Sequence, residues 1–141
     1  MTPERAAEFL DAQDRVWTAV RSELAQGRKT SHWIWFVFPQ LASLGRSPTS
    51  RRFGIRDLRE AADYLANDRL RARLEEAATL MLTHAGKSPE SVLGPIDALK
   101  LRSSMTLFSR VPGASPLFRQ VLDTFYDGTP CPLTLKALEE S

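Results

Sequence analysis

The stretch Lys29-Thr30-Ser31-His32-Trp33-Ile34-Trp35-Phe36-Val37-Phe38-Pro39-Gln40 decides how the rest of the chain is read. A polar shoulder, Lys29 to His32, runs directly into six consecutive large apolar residues, Trp33 to Phe38. Two of the three tryptophans and two of the seven phenylalanines are gathered there. A helix that crosses a bilayer needs about 20 apolar residues, so a run this short is core and not a membrane span. The shoulder must leave that core at a fixed place, and the junction is the first candidate for chemistry. The aromatic and β-branched content of the run would suit a strand, but one isolated strand has nothing to pair with. The reading is therefore a short buried helix or an extended core segment that ends at Pro39.

Outward from this run the punctuation is helical. Thr2-Pro3, Ser47-Pro48, Ser88-Pro89 and Ser115-Pro116 each set a hydroxyl before a proline. The hydroxyl can accept from a free N–H of a first helical turn, and proline at the next position forfeits no hydrogen bond. Each pair reads as a helix start, and Gly27, Gly86, Gly94 and Gly128 stand where helices should stop. The first helix is expected from Pro3 to Gln26, where Phe9, Val16, Trp17, Val20 and Leu24 form an apolar stripe interrupted by Gln13. Ala42 to Ser47 reads as a turn, and Pro48 to Phe53 as a short helix. Asp57-Leu58-Arg59-Glu60 is a capping box for a helix through Ala66. Asn67-Asp68 ends that helix and caps the next, Arg69 to Ala85, with Leu70, Leu74, Ala77, Ala78, Met81 and Leu82 facing inward. After a short turn at Pro89–Leu93, Gly94-Pro95 opens a helix through Ser109. Leu117–Tyr126 and Leu133–Glu139 complete the chain. The expected fold is all-α: one compact multihelical domain over residues 1–141.

Composition agrees with an ordinary globular protein, 43% apolar and 26% charged. The net charge of +2 is small and the basic residues are dispersed among acids, which makes a nucleic-acid partner unlikely on charge grounds. Such a partner would require Arg51, Arg52, Arg69, Arg71 and Arg73 to gather on one face. The lone Cys131 has no partner for an internal disulfide, and no Cys/His spacing suits zinc. No residue near it would lower its pKa, so it reads as a small buried hydrophobe. The N-terminal segment carries Pro3, Glu4 and Glu8 in place of a long apolar run, unlike a secretory signal. A cytoplasmic, reduced setting is expected, with no membrane partner, no metal and no cofactor.

Three segments carry a recognisable pattern: Gly27 to Gln40, Leu44-Gly45-Arg46-Ser47, and Lys100-Leu101-Arg102-Ser103-Ser104-Met105-Thr106-Leu107-Phe108. Together they resemble the Rv1873-like proteins, an uncharacterised bacterial family, over most of the chain from Phe9 to Leu138. The resemblance implies a multihelical all-α domain and brings no established activity with it. Ile34, Phe53 and Asn67-Asp68 stand where that family commonly has Met, Tyr and His-Pro.

His32 is the leading candidate for chemistry, because an imidazole exchanges protons near neutral pH. The alternative is a core-edge histidine satisfied by backbone. Lys29 could attract a phosphate or carboxylate, or simply close a helix end. Trp33 and Trp35 could stack on a planar ligand or belong to the core. Gln40 could read an amide or cap a loop. On the helix near residue 100, Lys100, Ser103 and Ser104 lie within one turn. A lysine beside a serine can act as base for a nucleophile when it is buried enough to lose its proton. Ser103, Ser104 and Thr106 otherwise bond back to the preceding turn, or they line a polar cavity. Asp97 is expected to pair with Lys100.

The expected site is thus a pocket between the aromatic run and the 95–109 helix. His32, Lys100 and Ser104 would be its catalytic candidates; Lys29, Ser31, Trp33, Trp35, Gln40 and Ser103 would bind the ligand. That mixture suits a small anionic, nucleotide-like molecule, with hydrolysis or group transfer through His32 as the matching reaction class. The competing expectation is a non-enzymatic protein-interaction module in which the same residues serve the fold.

Overall fold

The chain enters its first helix, α1 (Pro3–Gln26), where Thr2-Pro3 directs: the Thr2 hydroxyl accepts from the Arg5 N–H at 3.2 Å. The same device opens α3 (Pro48–Arg52) at Ser47 and α6 (Pro89–Leu93) at Ser88. Asp57 caps α4 (Leu58–Ala66) by accepting from the Glu60 N–H, and Asn67 caps α5 (Asp68–Leu82). The aromatic run forms α2 (Ile34–Val37), so the helical reading of that segment holds. Next to it, Ala42–Leu44 makes a turn of 3-10 helix. The longer C-terminal elements are α7 (Pro95–Ser109), α8 (Leu117–Tyr126) and α9 (Pro132–Glu140). This computed structural model describes residues 1–140, and among them the fold is all-α, with nine α-helices. A lone parallel bridge between Leu41 and Ile55 joins the two extended pieces on either side of α3. Pro89–Leu93, read from sequence as a turn, is helical because Ser88 and Pro89 supply a complete helix start.

α1 packs on α5, α5 on α8, and α7 lies against α4, α6, α8 and α9, while α2 is wedged among α1, α5 and α7. The buried side chains form one continuous hydrophobic cluster from Phe9 to Leu122. Through it runs an aromatic chain, Phe53–Phe9–Tyr64–Phe108–Phe118, with successive ring centroids 5.3, 5.3, 5.3 and 6.0 Å apart. Each such contact contributes about 0.5–1.5 kcal/mol beyond the area it buries. Gln13, which interrupts the α1 stripe, is buried and connects three elements. It donates to the Phe36 carbonyl at 2.7 Å and to the Tyr64 hydroxyl at 3.1 Å, and it accepts from Arg73. Burial pushes the Tyr64 hydroxyl well above its ordinary range, so it stays protonated.

One turn positions the site. Gly27 ends α1 in the left-handed region (φ 74°), and the Gly27 and Arg28 N–H groups bond back to the Leu24 and Glu23 carbonyls. A Cβ on Gly27 would also lie 2.8 Å from the His84 ring, which itself hydrogen-bonds the Leu24 carbonyl. The reversal delivers Lys29, whose N–H donates to the Val92 carbonyl of α6 at 2.8 Å. Residue 29 is thereby brought to the start of α7.

Candidate functional site

The shoulder at Lys29–Trp33 is shaped by a residue the sequence reading passed over. Glu23, 8% exposed near the end of α1, accepts from the Thr30 N–H (2.8 Å), the Ser31 N–H (2.9 Å), the Ser31 hydroxyl (2.7 Å) and the Trp33 indole N–H (3.1 Å). Burial alone would raise its pKa, but these four donors outweigh it and hold the carboxyl at about 2. Glu23 is therefore an anion throughout the physiological range. The signal was available: it continues the buried face of α1 three residues beyond Val20.

Ser31 is consequently committed to Glu23 and faces no ligand as a free hydroxyl. Trp33 is 1% exposed and belongs to the core, with its indole N–H on the same carboxylate. What the turn leaves outward is His32, which is exposed and makes no hydrogen bond among the described residues.

From the other direction comes α7. Asp97, in its first turn, sits between two lysines, 2.7 Å from the Lys29 ammonium and 3.4 Å from that of Lys100. The expected Asp97–Lys100 pair is present, and the shorter of its two contacts goes to Lys29. Each ammonium also lies over an indole: Lys29 is 4.9 Å from the Trp33 ring centroid and Lys100 is 4.2 Å from that of Trp35. The Lys29 side chain is 7% exposed and also donates to the Ser31 carbonyl at 2.6 Å, whereas that of Lys100 is 23% exposed. So the segments near residues 30 and 100 do meet.

They meet around a hollow of about 370 Å³, whose lining includes Lys29, His32, Trp35, Phe36, Thr49 and Lys100. That volume lies in the range of small-molecule sites. A shallower hollow borders it on the far side of the lysine pair, bounded by Thr30, Ser31 and the Gly94–Ile96 start of α7. The space between the segments is thus neither flat nor filled with hydrocarbon.

The serines of α7 are elsewhere, and the expected lysine–serine constellation does not form. Ser103 pairs with the Thr134 hydroxyl of α9 at 2.8 Å, and Ser104 is fully buried with an unpartnered Oγ. Thr106 does bond back, to the Arg102 carbonyl at 2.7 Å, and it accepts from the Cys131 N–H. The reason is that α7 is enclosed on most sides, with Ala98, Leu101 and every residue from Ser103 to Phe108 buried. Its hydroxyls are thereby enclosed and kept from the hollow. Gln40 is also buried, away from the hollow, with its backbone carbonyl accepting from the Ile55 N–H at 2.7 Å. Cys131 is half-buried.

Elsewhere, four of the five arginines that a nucleic-acid surface would need are engaged with carboxylates. Arg52 pairs with Glu8, Arg69 and Arg73 with Asp14, and Arg71 with Asp68 and Glu75. Among the described residues no cluster of metal-ligating side chains occurs, and no helix is long and apolar enough to cross a membrane.

Comparison with known proteins follows the same lines. The chain is similar to the conserved hypothetical protein Rv1873 from Mycobacterium tuberculosis, whose crystal structure superposes with a TM-score of 0.94. The two sequences are 44% identical over 98% of this chain and 99% of that one. No curated protein matches the chain. A family model described as a protein of unknown function, DUF1810, matches residues 3–138. With the fold, the long alignment and that match in agreement, the chain belongs to the DUF1810 family.

Proposed function

We propose that the protein binds a small anionic, ring-bearing molecule, nucleotide-like in its combination of plane and charge. Its place is the hollow between α2 and the first turns of α7. One observation carries the reading: two lysines share a single carboxylate, so the cluster keeps a net positive charge beside aromatic walls in a concave, solvent-open space. Convergent polar groups on an otherwise aromatic surface suit recognition of a small molecule. Lys100 supplies the charge, His32 a hydrogen-bonding group at the rim, and Trp35 with Phe36 the apolar wall. The reading is of binding and not of serine-dependent hydrolysis, because Ser103 is bonded to Thr134 and Ser104 is fully buried. If the ligand is turned over, His32 is the group placed to move a proton. A lone, half-buried cysteine suits the reduced cytoplasmic setting expected from sequence.

The test is thermal unfolding of wild type, Lys100→Ala and His32→Ala against a panel of nucleotides and small organic acids. A ligand that binds only the native state raises its apparent stability. The expected result is a hit in wild type that both variants lose; hits that both variants keep would place binding elsewhere.

A second reading, a surface for another protein, is favoured by Ile96 and Leu99, which are 68% and 64% exposed at the start of α7. It predicts that Ile96→Asp and Leu99→Asp abolish an association and leave small-molecule binding intact.

A further inference from the structure

The donor arrangement in the hollow narrows the ligand class, on the premise that the hollow binds an anion at all. An ammonium has three N–H donors. Those of Lys29 are spent on the Ser31 carbonyl at 2.6 Å, the Asp97 carboxylate at 2.7 Å and the face of Trp33. With its side chain 7% exposed, Lys29 has nothing left to offer a ligand. Lys100 differs. It makes one long contact to Asp97, 3.4 Å, and its ammonium lies 4.2 Å from the Trp35 ring centroid, with the side chain 23% exposed. With one donor toward Asp97 and one toward the Trp35 face, Lys100 keeps a third donor for a ligand, and among the described residues that line the hollow it is the lysine with one to spare. Of the charged side chains that line the hollow, Asp97 offsets one of the two lysines, so its wall keeps one net positive charge, while the Glu23 carboxylate lies behind it, bonded to Ser31 and Trp33.

We infer that the ligand is an aromatic monoanion, a flat ring carrying one carboxylate, and not a polyphosphate. A single carboxylate balances the residual charge at the wall of the hollow, and its two oxygens can take the free Lys100 donor and a His32 N–H. A second or third charge on the ligand would face Asp97, 2.7 Å from Lys29, without a counter-cation. The ring would lie against Phe36 and Trp35, which are half-buried and present apolar surface to the hollow. A volume of about 370 Å³ accommodates a bicyclic acid.

Calorimetric titration with naphthoate, naphthamide, naphthyl phosphate, AMP and ATP separates the possibilities. Naphthoate is expected to bind, and the neutral amide about tenfold or more weaker, as loss of a charged hydrogen bond implies. Naphthyl phosphate should bind no better than naphthoate, and ATP should be the weakest of the anions. Lys100→Met keeps an unbranched chain of similar length without the charge and should bring naphthoate down to the level of the amide; Lys100→Arg should retain it. Circular dichroism of both variants confirms that they fold. If AMP or naphthyl phosphate binds through Lys100 more tightly than naphthoate, the monoanion inference fails and the anion-binding hollow stands. If no anion binds, or if Lys100→Met changes nothing, the hollow reading fails with it.

Discussion

Replacing Glu23 by glutamine tests whether a buried carboxylate holds the Lys29–Trp33 shoulder in place. Glu23 Oε1 accepts from Thr30, Ser31 and Trp33, and Oε2 accepts from the Ser31 hydroxyl. Glutamine preserves the shape: its oxygen can keep the first three donors, and the Ser31 hydroxyl can turn to accept from the new amide. Only the charge is lost, as in the protonated acid. The carboxyl lies at about 2 in the folded protein against an ordinary 4.5. At 1.36 kcal/mol per pKa unit, this corresponds to about 3 kcal/mol of stability. The folded-state value is depressed, so the contribution is complete above pH 4.5 and drains away as the pH falls toward 2. Urea unfolding followed by tryptophan fluorescence, in which Trp33 reports directly on the site, measures it. Glu23→Gln should be about 3 kcal/mol less stable than wild type at pH 7, and the gap should close steadily below pH 4.5. Glu23→Ala, which strands four donors, should cost about 3–5 kcal/mol. A Glu23→Gln protein within about 1 kcal/mol of wild type at neutral pH, or a gap insensitive to acid, would refute the reasoning.

Three further outcomes follow from the same contacts. Ser104 has a fully buried, unpartnered Oγ, so Ser104→Ala should leave the thermal midpoint unchanged or raise it by up to about 1 kcal/mol equivalent; a marked loss would mean the hydroxyl has a partner. In double-mutant cycles, Lys29–Asp97 should show a coupling of about 1–3 kcal/mol and Lys100–Asp97 less than about 0.5, since the first pair is closer and more enclosed. Equal couplings would contradict that division of labour. Gly27→Ala should destabilise by about 1–3 kcal/mol through its left-handed backbone and the His84 contact, and His84→Ala should recover only part of the loss. Full recovery would show that the clash alone matters.

Much of the helical framework was legible because its start signals are local. Thr2, Ser47 and Ser88 cap as their Ser/Thr-Pro pairs require, and the ends of α1 and α7 fall where Gly27 and Gly94-Pro95 place them. Ser115 shifts the rule by one position: its hydroxyl accepts from the Leu117 N–H, and α8 begins at Leu117. The site was legible only in part. Lys29, His32, Trp35 and Lys100 do line one hollow, since the aromatic run has to be buried and the polar residues beside it emerge together. Ser103 and Ser104 were misplaced because spacing identifies a helix face but not what covers it. From Ser103 to Phe108 every residue of α7 is buried, so a face that looks polar in sequence is interior there. Glu23 and Gln13 were underread for the opposite reason. Each sits in register with apolar neighbours, and a polar residue in such a stripe marks a buried hub whose partners lie far along the chain, at Phe36, Tyr64 and Trp33.

The account stands on the hollow between α2 and α7 as a place where an anion binds. The most direct measurement is nitrogen–proton NMR of the three tryptophan indoles during titration with naphthoate. The account predicts that the Trp35 signal moves in a saturable way, that Trp17, on the α1–α5 side, stays still, and that Lys100→Met removes the change. Movement of Trp17 with Trp35 silent, or a Trp35 shift that survives Lys100→Met, would contradict it.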